Sequence, residues 1–253
     1  MRNASPPRKN DKAAPIEPPA RLVRPDSFSE RLYLDLRARL QRGEIGPDQR
    51  LVDAEVAAGY GISRMPAREA LLRLANEGYL IGTTRGFAIP RLSIDDIRDI
   101  FEIRKLLEPH AAANAARDMD AAARRKLGEA IQEARDAAAA DSAHDLILAN
   151  IAFRQAWLSA LRNERLIMTI GRFADHVQTI RLGTLRDPQT RAVVVAGLEG
   201  LYAAFMQGDP AAARKRMVKF VEAAEQAYFK VRRRELEAEA ASAAAPRPAR
   251  AAE

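Results

Sequence analysis

Apolar side chains recur every three to four residues through most of this chain, which is the spacing of amphipathic helices. The first such stretch, residues 28–40, is predicted as a helix that Gly43 ends. The second, residues 52–60, is predicted as a shorter helix with Asp53 as its cap. Residues 44–51 contain a Gly-Pro pair and are predicted as the connector between these helices.

A turn and a third helix follow. Gly61 gives the backbone its turn freedom, Ser63 is the predicted N-cap, and Pro66 is tolerated in the first helical turn. Arg64 and Arg68 are four residues apart, so they share one face of the helix. The apolar stripe lies on a different face and consists of Ala67, Ala70, Leu71 and Leu74. Such arginines are common on plain solvated faces, but they are also what helix-turn-helix proteins insert into a DNA major groove.

The residues after the third helix favour the DNA-binding interpretation. Glu77-Gly78 ends the helix, residues 79–82 and 87–90 alternate like short strands, and residues 83–86 form a tight turn between them. Three helices followed by a two-stranded hairpin are the order of a winged helix-turn-helix. The hairpin tip carries Arg85, which suits contact with phosphate or the minor groove.

From residue 93 the pattern is helical throughout. Ser93 begins the first helix as a cap, while Asp187-Pro188 and Asp209-Pro210 each pair an N-cap with proline at the first helical position. The other predicted helices cover residues 119–139, 143–161 and 163–182, and the last helix runs to about Arg234. The predicted fold is therefore mainly α: an N-terminal winged helix-turn-helix and a C-terminal all-α antiparallel bundle with room for a ligand.

Composition and charge set the domain limits. Residues 1–24 carry six Lys and Arg against two Asp and Glu, have no apolar period, and are predicted to be a disordered basic tail. This tail either adds nonspecific phosphate contacts or is a plain flexible extension. Residues 25–92 form the winged domain, 93–235 the helical effector-binding and dimerisation domain, and 236–253 a second disordered tail.

The cellular location follows from what the sequence lacks. The chain has no cysteine, so a disulfide framework and thiolate metal sites are excluded. It has no apolar run of about 18 residues and no apolar signal-peptide core at its start, so a cytoplasmic protein without membrane contact is expected.

Residues 28–92 resemble the DNA-binding domain of GntR-family bacterial transcription regulators. The resemblance rests on four segments: Gly43-Glu44-Ile45 with Pro47 and Leu51, the run from Gly61 to Leu71, Gly78-Tyr79-Leu80, and Arg85-Gly86. It implies that Arg64 and Arg68 contact base edges or adjacent phosphates and that Ser63 and Met65 line the groove. It also implies that Thr84, Arg85 and Gly86 form the wing tip.

The helical half resembles the FCD effector domain of FadR-like GntR regulators, so the resemblance extends over roughly residues 28–230. It is carried by Phe101–Glu108, Asn163 and the Gly208-Asp209 turn. Effector bundles of this class pair, which implies a homodimer on a pseudo-palindromic operator.

Many FCD domains hold a divalent metal with one aspartate and three histidines. The resemblance places these four positions at Asn150, Arg154, Leu198 and Phe220. None of these residues is a normal ligand for Zn, Ni or Mn. The histidines, His110, His144 and His176, do not fall at ligand spacing. We therefore predict that the protein uses no metal and no cofactor.

An anionic effector is the alternative occupant of this predicted pocket. A guanidinium at Arg154 can bind a carboxylate bidentately, so the hypothesis is an organic-acid or acyl-type effector. In the competing interpretation Arg154 pairs with a nearby carboxylate and only fills the cavity. The effector-binding candidates are Arg104, Asn150, Arg154, His176, Leu198 and Phe220.

The resulting hypothesis is an effector-controlled transcription repressor that binds double-stranded operator DNA. An activator of the same fold stays open, because the sign of control depends on where the operator lies relative to the promoter. A nonspecific DNA-organising protein needs a broadly basic surface, yet residues 25–92 carry ten Lys and Arg against nine Asp and Glu. An enzyme is disfavoured, because the sequence has no nucleophile–base pair, phosphate loop or metal site.

Overall fold

Two helical units follow each other along the chain, and the first of them carries a small sheet. No helix in the described part of the chain is long and apolar enough to cross a membrane. The predicted fold class, a winged helix-turn-helix followed by a helical bundle, is confirmed. The computed structural model describes residues 27–46, 48–176, 184–185 and 187–244, giving only the backbone for 174–176 and 238–244.

The N-terminal unit is built on helices α1 (Phe28–Arg42), α2 (Asp53–Tyr60) and α3 (Arg64–Asn76). Helix α1 begins where the Ser27 side chain accepts a hydrogen bond from the Glu30 N–H, and it ends where Gly43 adopts the left-handed conformation. The buried core of this unit is Leu32, Tyr33, Leu36, Ile45, Val56, Ala57, Ala67, Ala70, Leu71, Leu74, Tyr79 and Leu80. All four residues of the predicted apolar stripe of α3 are thus fully buried.

Two predicted caps behave differently from expectation. Asp53 is the first residue of α2 rather than its cap, and Val52 occupies the cap position without a side-chain hydrogen bond. The Asp53 carboxylate instead accepts hydrogen bonds from Arg64, at 3.0 and 3.3 Å. Ser63 does occupy the N-cap of α3, but its side chain makes no capping hydrogen bond. The carboxylate that could have capped α2 is therefore used to orient an arginine at the start of α3.

The wing contains one strand more than the sequence pattern predicts. Strands β1 (Arg50–Leu51), β2 (Ile81–Thr83) and β3 (Gly86–Ala88) form an antiparallel sheet in the order β1-β3-β2. Arg50 and Ile81 both pair with Ala88 from opposite sides. The sequence pattern places residues 50–51 in the connector, because two residues are too few to show an alternating pattern.

The C-terminal unit consists of α4 (Ile94–Asp118), α5 (Ala121–Ala139), α6 (Ala143–Leu158), α7 (Glu164–His176), α8 (Pro188–Gln207) and α9 (Pro210–Ala244). Ser93 and Asp96 form a capping box at the start of α4. Asp187 caps α8 by accepting a hydrogen bond from Thr190 N at 2.9 Å, as the Asp-Pro signal predicts. The remainder of the fourth predicted bundle helix, residues 177–182, lies outside the described residues.

The bundle core is separate from the winged-domain core. Helix α5 packs along α6, and α9 packs along α4 and α8. The ring of Trp157 stacks on Phe205 with centroids 6.2 Å apart, and Phe153 packs against the same ring at 6.4 Å. Alanines at the centre of α4, such as Ala111 and Ala115, are completely buried and allow close helix approach. The domain boundary near residue 92 stays a prediction, and it falls between these two cores in the sequence.

Helix α9 continues ten residues beyond its predicted end at Arg234 and reaches Ala244. Residues 236–244, assigned to a disordered tail, are therefore helical. The assignment was wrong because the segment lacks an apolar period, yet alanine and glutamate have high helix propensity and need none. Residues 245–253 and the basic tail, residues 1–24, lie outside the described part of the chain.

Candidate nucleic-acid interface and ligand pockets

One face of α3 is turned to solvent while the opposite face is fully buried. Ala67 and Ala70 have no exposed surface, whereas Met65 is 66% exposed. Ser63 and Arg68 are also exposed. The Arg68 guanidinium forms no ion pair or hydrogen bond with any residue that the structure describes. The N-terminal half of α3 therefore presents a free cation and an apolar side chain on one accessible surface.

Arg64 lies on the same surface, but its guanidinium forms an ion pair with Asp53. Its side chain is 69% exposed, and Nη2 lies 3.0 Å from an oxygen of Asp53, a residue that is mostly covered. An exposed ion pair of this kind contributes little to stability, typically below about 1 kcal/mol. Its effect is orientation: the pair holds the guanidinium between the starts of α2 and α3, where a nucleic-acid phosphate or base edge can reach it.

The wing turn is fixed by a threonine. The Thr83 hydroxyl donates a hydrogen bond to Gly86 O at 3.0 Å and accepts one from Arg85 N at 3.3 Å. Thr84 and Arg85 are the two central residues of the turn, and both are exposed. The turn therefore presents Arg85 at its tip, as the sequence predicts.

Gly86 has a structural role that the sequence pattern does not predict. Its φ is +107°, and a Cβ atom there would lie 2.6 Å from Leu51 O. The residue is half-buried beneath β1. Gly86 therefore lets β3 approach β1 closely, and its place among the wing-tip contact residues stays a prediction.

The C-terminal end of α3 is joined to α1 by a cluster of side-chain contacts that the sequence does not predict. The Tyr33 hydroxyl donates to Glu77 at 2.6 Å, and Arg73 lies over the Tyr33 ring at 3.7 Å from its centroid. Burial, and then the hydrogen bond to Glu77, raise the pKa of Tyr33 to about 12. The hydroxyl therefore stays protonated and keeps donating. Helical spacing gives no sign of such a contact between helices.

In the bundle, three of the six effector candidates meet at one small cavity. Arg104, Asn150 and Phe220 line a space of about 30 Å³. Such a volume holds a water molecule but no organic acid. Arg104 is buried and already paired: its Nε donates to Glu108 at 2.6 Å and its Nη2 to the same carboxylate at 3.4 Å. Burial of Glu108 inside the bundle was not predicted.

The remaining candidates do not line this cavity as the structure describes it, so one pocket that holds all six stays a prediction. Leu198 is buried in the core and does not line the cavity. Arg154 lines a different space, a cleft between the bundle and the winged unit. The side chain of His176 lies outside the described residues.

Phe220 explains why the bundle cavity is small. A Cβ atom added to Gly197 would lie 2.3 Å from the Phe220 ring, so the ring already fills the space against α8. Among the described residues, no group of three or more His, Asp or Glu lies together as a metal site. The Asn, Arg, Leu and Phe side chains at the four family positions do not fit a divalent metal.

Comparison with known proteins gives two matches along the chain. The family model for bacterial regulatory proteins of the gntR family matches residues 28–86, and the FCD domain model matches residues 99–223. The first match covers the three helices and the wing, and the second begins early in α4 and ends within α9. Each family model thus falls within one structural unit.

Individual relatives agree with the family models. A transcriptional regulator of Bacillus subtilis, YdhC, is 33% identical over 35% of this chain and 40% of its own length. The Nta operon transcriptional regulator of Aminobacter aminovorans is 30% identical over 53% of this chain and 64% of its own length. The matches thus span less than two thirds of both relatives.

A solved structure supports the fold. The Escherichia coli McbR/YncC structure superimposes with a TM-score of 0.71 at 23% identity, over 83% of this chain and 99% of that one. At this identity the likeness bears on the fold alone. The chain belongs to the GntR family of bacterial regulatory proteins and carries an FCD domain behind its winged helix-turn-helix.

Proposed function

We propose that this protein is a sequence-specific DNA-binding transcription regulator that acts as a homodimer on a pseudo-palindromic operator. The observation that carries the proposal is the exposed N-terminal half of α3, where Arg68 has no partner among the residues that the structure describes and Met65 is two-thirds exposed. The wing turn adds a second exposed arginine, Arg85. Arginine forks at the start of such a helix suit bidentate contact with guanine edges.

We favour repression over activation, because repression requires no protein surface beyond the one that binds DNA. A dimer that covers an operator overlapping a promoter blocks polymerase by occupancy alone, whereas activation requires a further surface that contacts polymerase. A reporter gene behind the selected operator distinguishes the two: repression predicts higher expression when the regulator is deleted, and activation predicts lower expression.

Control by a small organic anion completes the proposal. An effector that binds one arrangement of the two winged domains better than another changes DNA affinity, and DNA changes effector affinity by the same factor. The short connector around residues 90–93 joins the units and is the proposed hinge.

The test of DNA recognition uses selection of random-sequence duplexes on the purified full-length protein. Fluorescence anisotropy at a stated salt concentration then compares the enriched duplex with its scrambled form. A sequence-specific regulator gives a ratio of dissociation constants of about 10³ or more. A ratio close to one supports a nonspecific DNA-organising protein instead.

A further inference from the structure

One ion pair, between Asp53 and Arg64, joins helix α2 to the N-terminal end of α3. The Nη2 atom of Arg64 donates to both oxygens of the Asp53 carboxylate, at 3.0 and 3.3 Å. Its Nε and Nη1 atoms form no hydrogen bond with any residue that the structure describes. The guanidinium is therefore held at one nitrogen, and its other N–H groups can bind a partner that approaches from solvent.

The two partners of this ion pair differ in exposure. The side chain of Asp53 is 15% exposed, whereas that of Arg64 is 69% exposed. Asp53 is the first residue of α2, where the partial positive charge of the helix N-terminus stabilises an ionised carboxylate. A covered carboxylate thus limits the positions that a long, exposed arginine side chain can adopt. Arg68, one helical turn further on, has no such partner among the described residues.

A carboxylate beside an arginine affects phosphates and base edges differently. Phosphate oxygens are anionic and carry no sequence information, whereas the guanine O6 and N7 acceptors in the major groove are neutral. A phosphate that binds Arg64 comes close to the Asp53 carboxylate, and these like charges repel each other. A guanine edge meets no such repulsion. The ion pair therefore favours contact with a base over contact with the DNA backbone, because it disfavours the wrong partner.

The charge balance of the winged unit is compatible with this selectivity. Residues 25–92 carry ten Lys and Arg against nine Asp and Glu. Nonspecific affinity for DNA arises from cations that neutralise phosphates. Because the excess of positive charge is so small, withholding even one arginine from the phosphates lowers the nonspecific affinity of the unit.

We propose that Asp53 determines DNA specificity by holding Arg64 for a base edge and by opposing its capture by phosphates of non-cognate DNA. This inference rests on the proposed function, because it concerns how the same surface of α3 discriminates between sequences. Asp53 acts through Arg64 and does not itself have to touch DNA, so it is a positioning residue.

The test measures the dissociation constants of full-length variants for the selected duplex and for its scrambled form. Asp53→Asn keeps the shape of the side chain and removes its charge. This variant should bind the scrambled duplex more tightly than the wild type does, and its specificity ratio should fall by about tenfold or more. Loss of folded protein weakens the apparent binding of both duplexes by the same factor, so the ratio does not respond to it.

The matched control is Glu55→Gln, which removes the same charge two residues further along α2. Glu55 is exposed and has no ion pair with any residue in the described ranges. Its loss should change the two dissociation constants by a similar factor and leave the specificity ratio as in the wild type.

Two further measurements test whether Asp53 acts through Arg64. In each subunit of a dimer, a released Arg64 gains one phosphate of scrambled DNA. Asp53→Asn should therefore steepen the dependence of log K on log salt by about 2, since each phosphate contact adds about 0.9. Glu55→Gln should leave this slope unchanged. In an Arg64→Gln background, Asp53→Asn should not lower the specificity ratio further.

The outcomes separate this inference from the proposed function. A specificity ratio and a salt slope that Asp53→Asn leaves unchanged overturn the role of Asp53, while the proposed function stands. A fall of the ratio that is equally large with and without Arg64 also overturns it. A ratio close to one for the wild type overturns the proposed function itself, and with it this inference.

Discussion

The buried ion pair at the centre of α4 gives the sharpest stability prediction. Arg104 and Glu108 are one helical turn apart, and their side chains are 3% and 4% exposed. The substitution Glu108→Leu removes the carboxylate and leaves the guanidinium inside the bundle without its counter-charge. The Arg104 group also lies 5.2 Å from the Phe101 ring centroid, a contact that does not replace an acceptor.

The expected cost follows from this geometry. Two unit charges about 3 Å apart attract by roughly 5 kcal/mol at an effective dielectric constant of about 20. Removing one partner of a buried pair costs about 3–5 kcal/mol, because the other charge stays desolvated. A domain is stabilised by only about 5–15 kcal/mol in total. We therefore expect the bundle's melting temperature to fall by roughly 10 °C.

Guanidinium chloride unfolding at one fixed protein concentration, followed by circular dichroism, measures this loss. The control is the double variant Arg104→Met/Glu108→Leu, which replaces the pair by apolar side chains of similar size. Replacement of a whole buried pair is often neutral or stabilising, so the double variant should recover most of the stability. A single variant that loses less than about 1 kcal/mol would refute the assignment, since the guanidinium would then have access to water.

Two further perturbations test the wing and the start of α4. Gly86→Ala forces a Cβ atom at positive φ to within 2.6 Å of Leu51 O and should cost at least about 1–2 kcal/mol. In contrast, Gly82→Ala, which has open space around its Cβ position, should cost less than 1 kcal/mol by chemical denaturation. Hydrogen bonds from Ser93 hold the pKa of Asp96 below its ordinary value of 3.8. The stabilisation by Asp96 is therefore complete above that value and disappears as the pH falls through the lowered pKa. The difference in unfolding free energy between the wild type and Asp96→Asn should shrink over the same acidic range, and a difference that does not vary with pH would contradict this assignment.

The helical elements could be predicted because their signals are local. Leucines four residues apart, the Asp187-Pro188 start and the Gly43 stop act within one or two turns, and the structure places helices at all of them. Strand β1 could not be predicted, since its two residues become a strand only by pairing with β3. The extension of α9 was missed because helix propensity was given less weight than periodicity.

The same difference applies to the candidate sites: residues positioned by one helix could be predicted, whereas a site formed by several helices could not. The solvent-exposed residues of α3 follow from one helix, because its buried stripe fixes which side is exposed, and Arg64 and Arg68 lie on the surface as predicted. The prediction of the six effector candidates requires five helices to meet at one point. That arrangement is set by side-chain volume, such as the Phe220 ring against Gly197. Such packing cannot be obtained from sequence spacing.

The central claim is that the exposed face of α3 reads DNA sequence. The most direct measurement is the affinity of Arg68→Ala for the selected operator, compared with Arg125→Ala, an arginine that is 73% exposed on α5. A bidentate contact to a base is worth about 1–3 kcal/mol, and a dimer makes it in both half-sites. The account predicts a loss of at least tenfold for Arg68→Ala, with relaxed preference at one base position in each half-site, and no change for Arg125→Ala. Equal affinity and equal preference in both variants would contradict it.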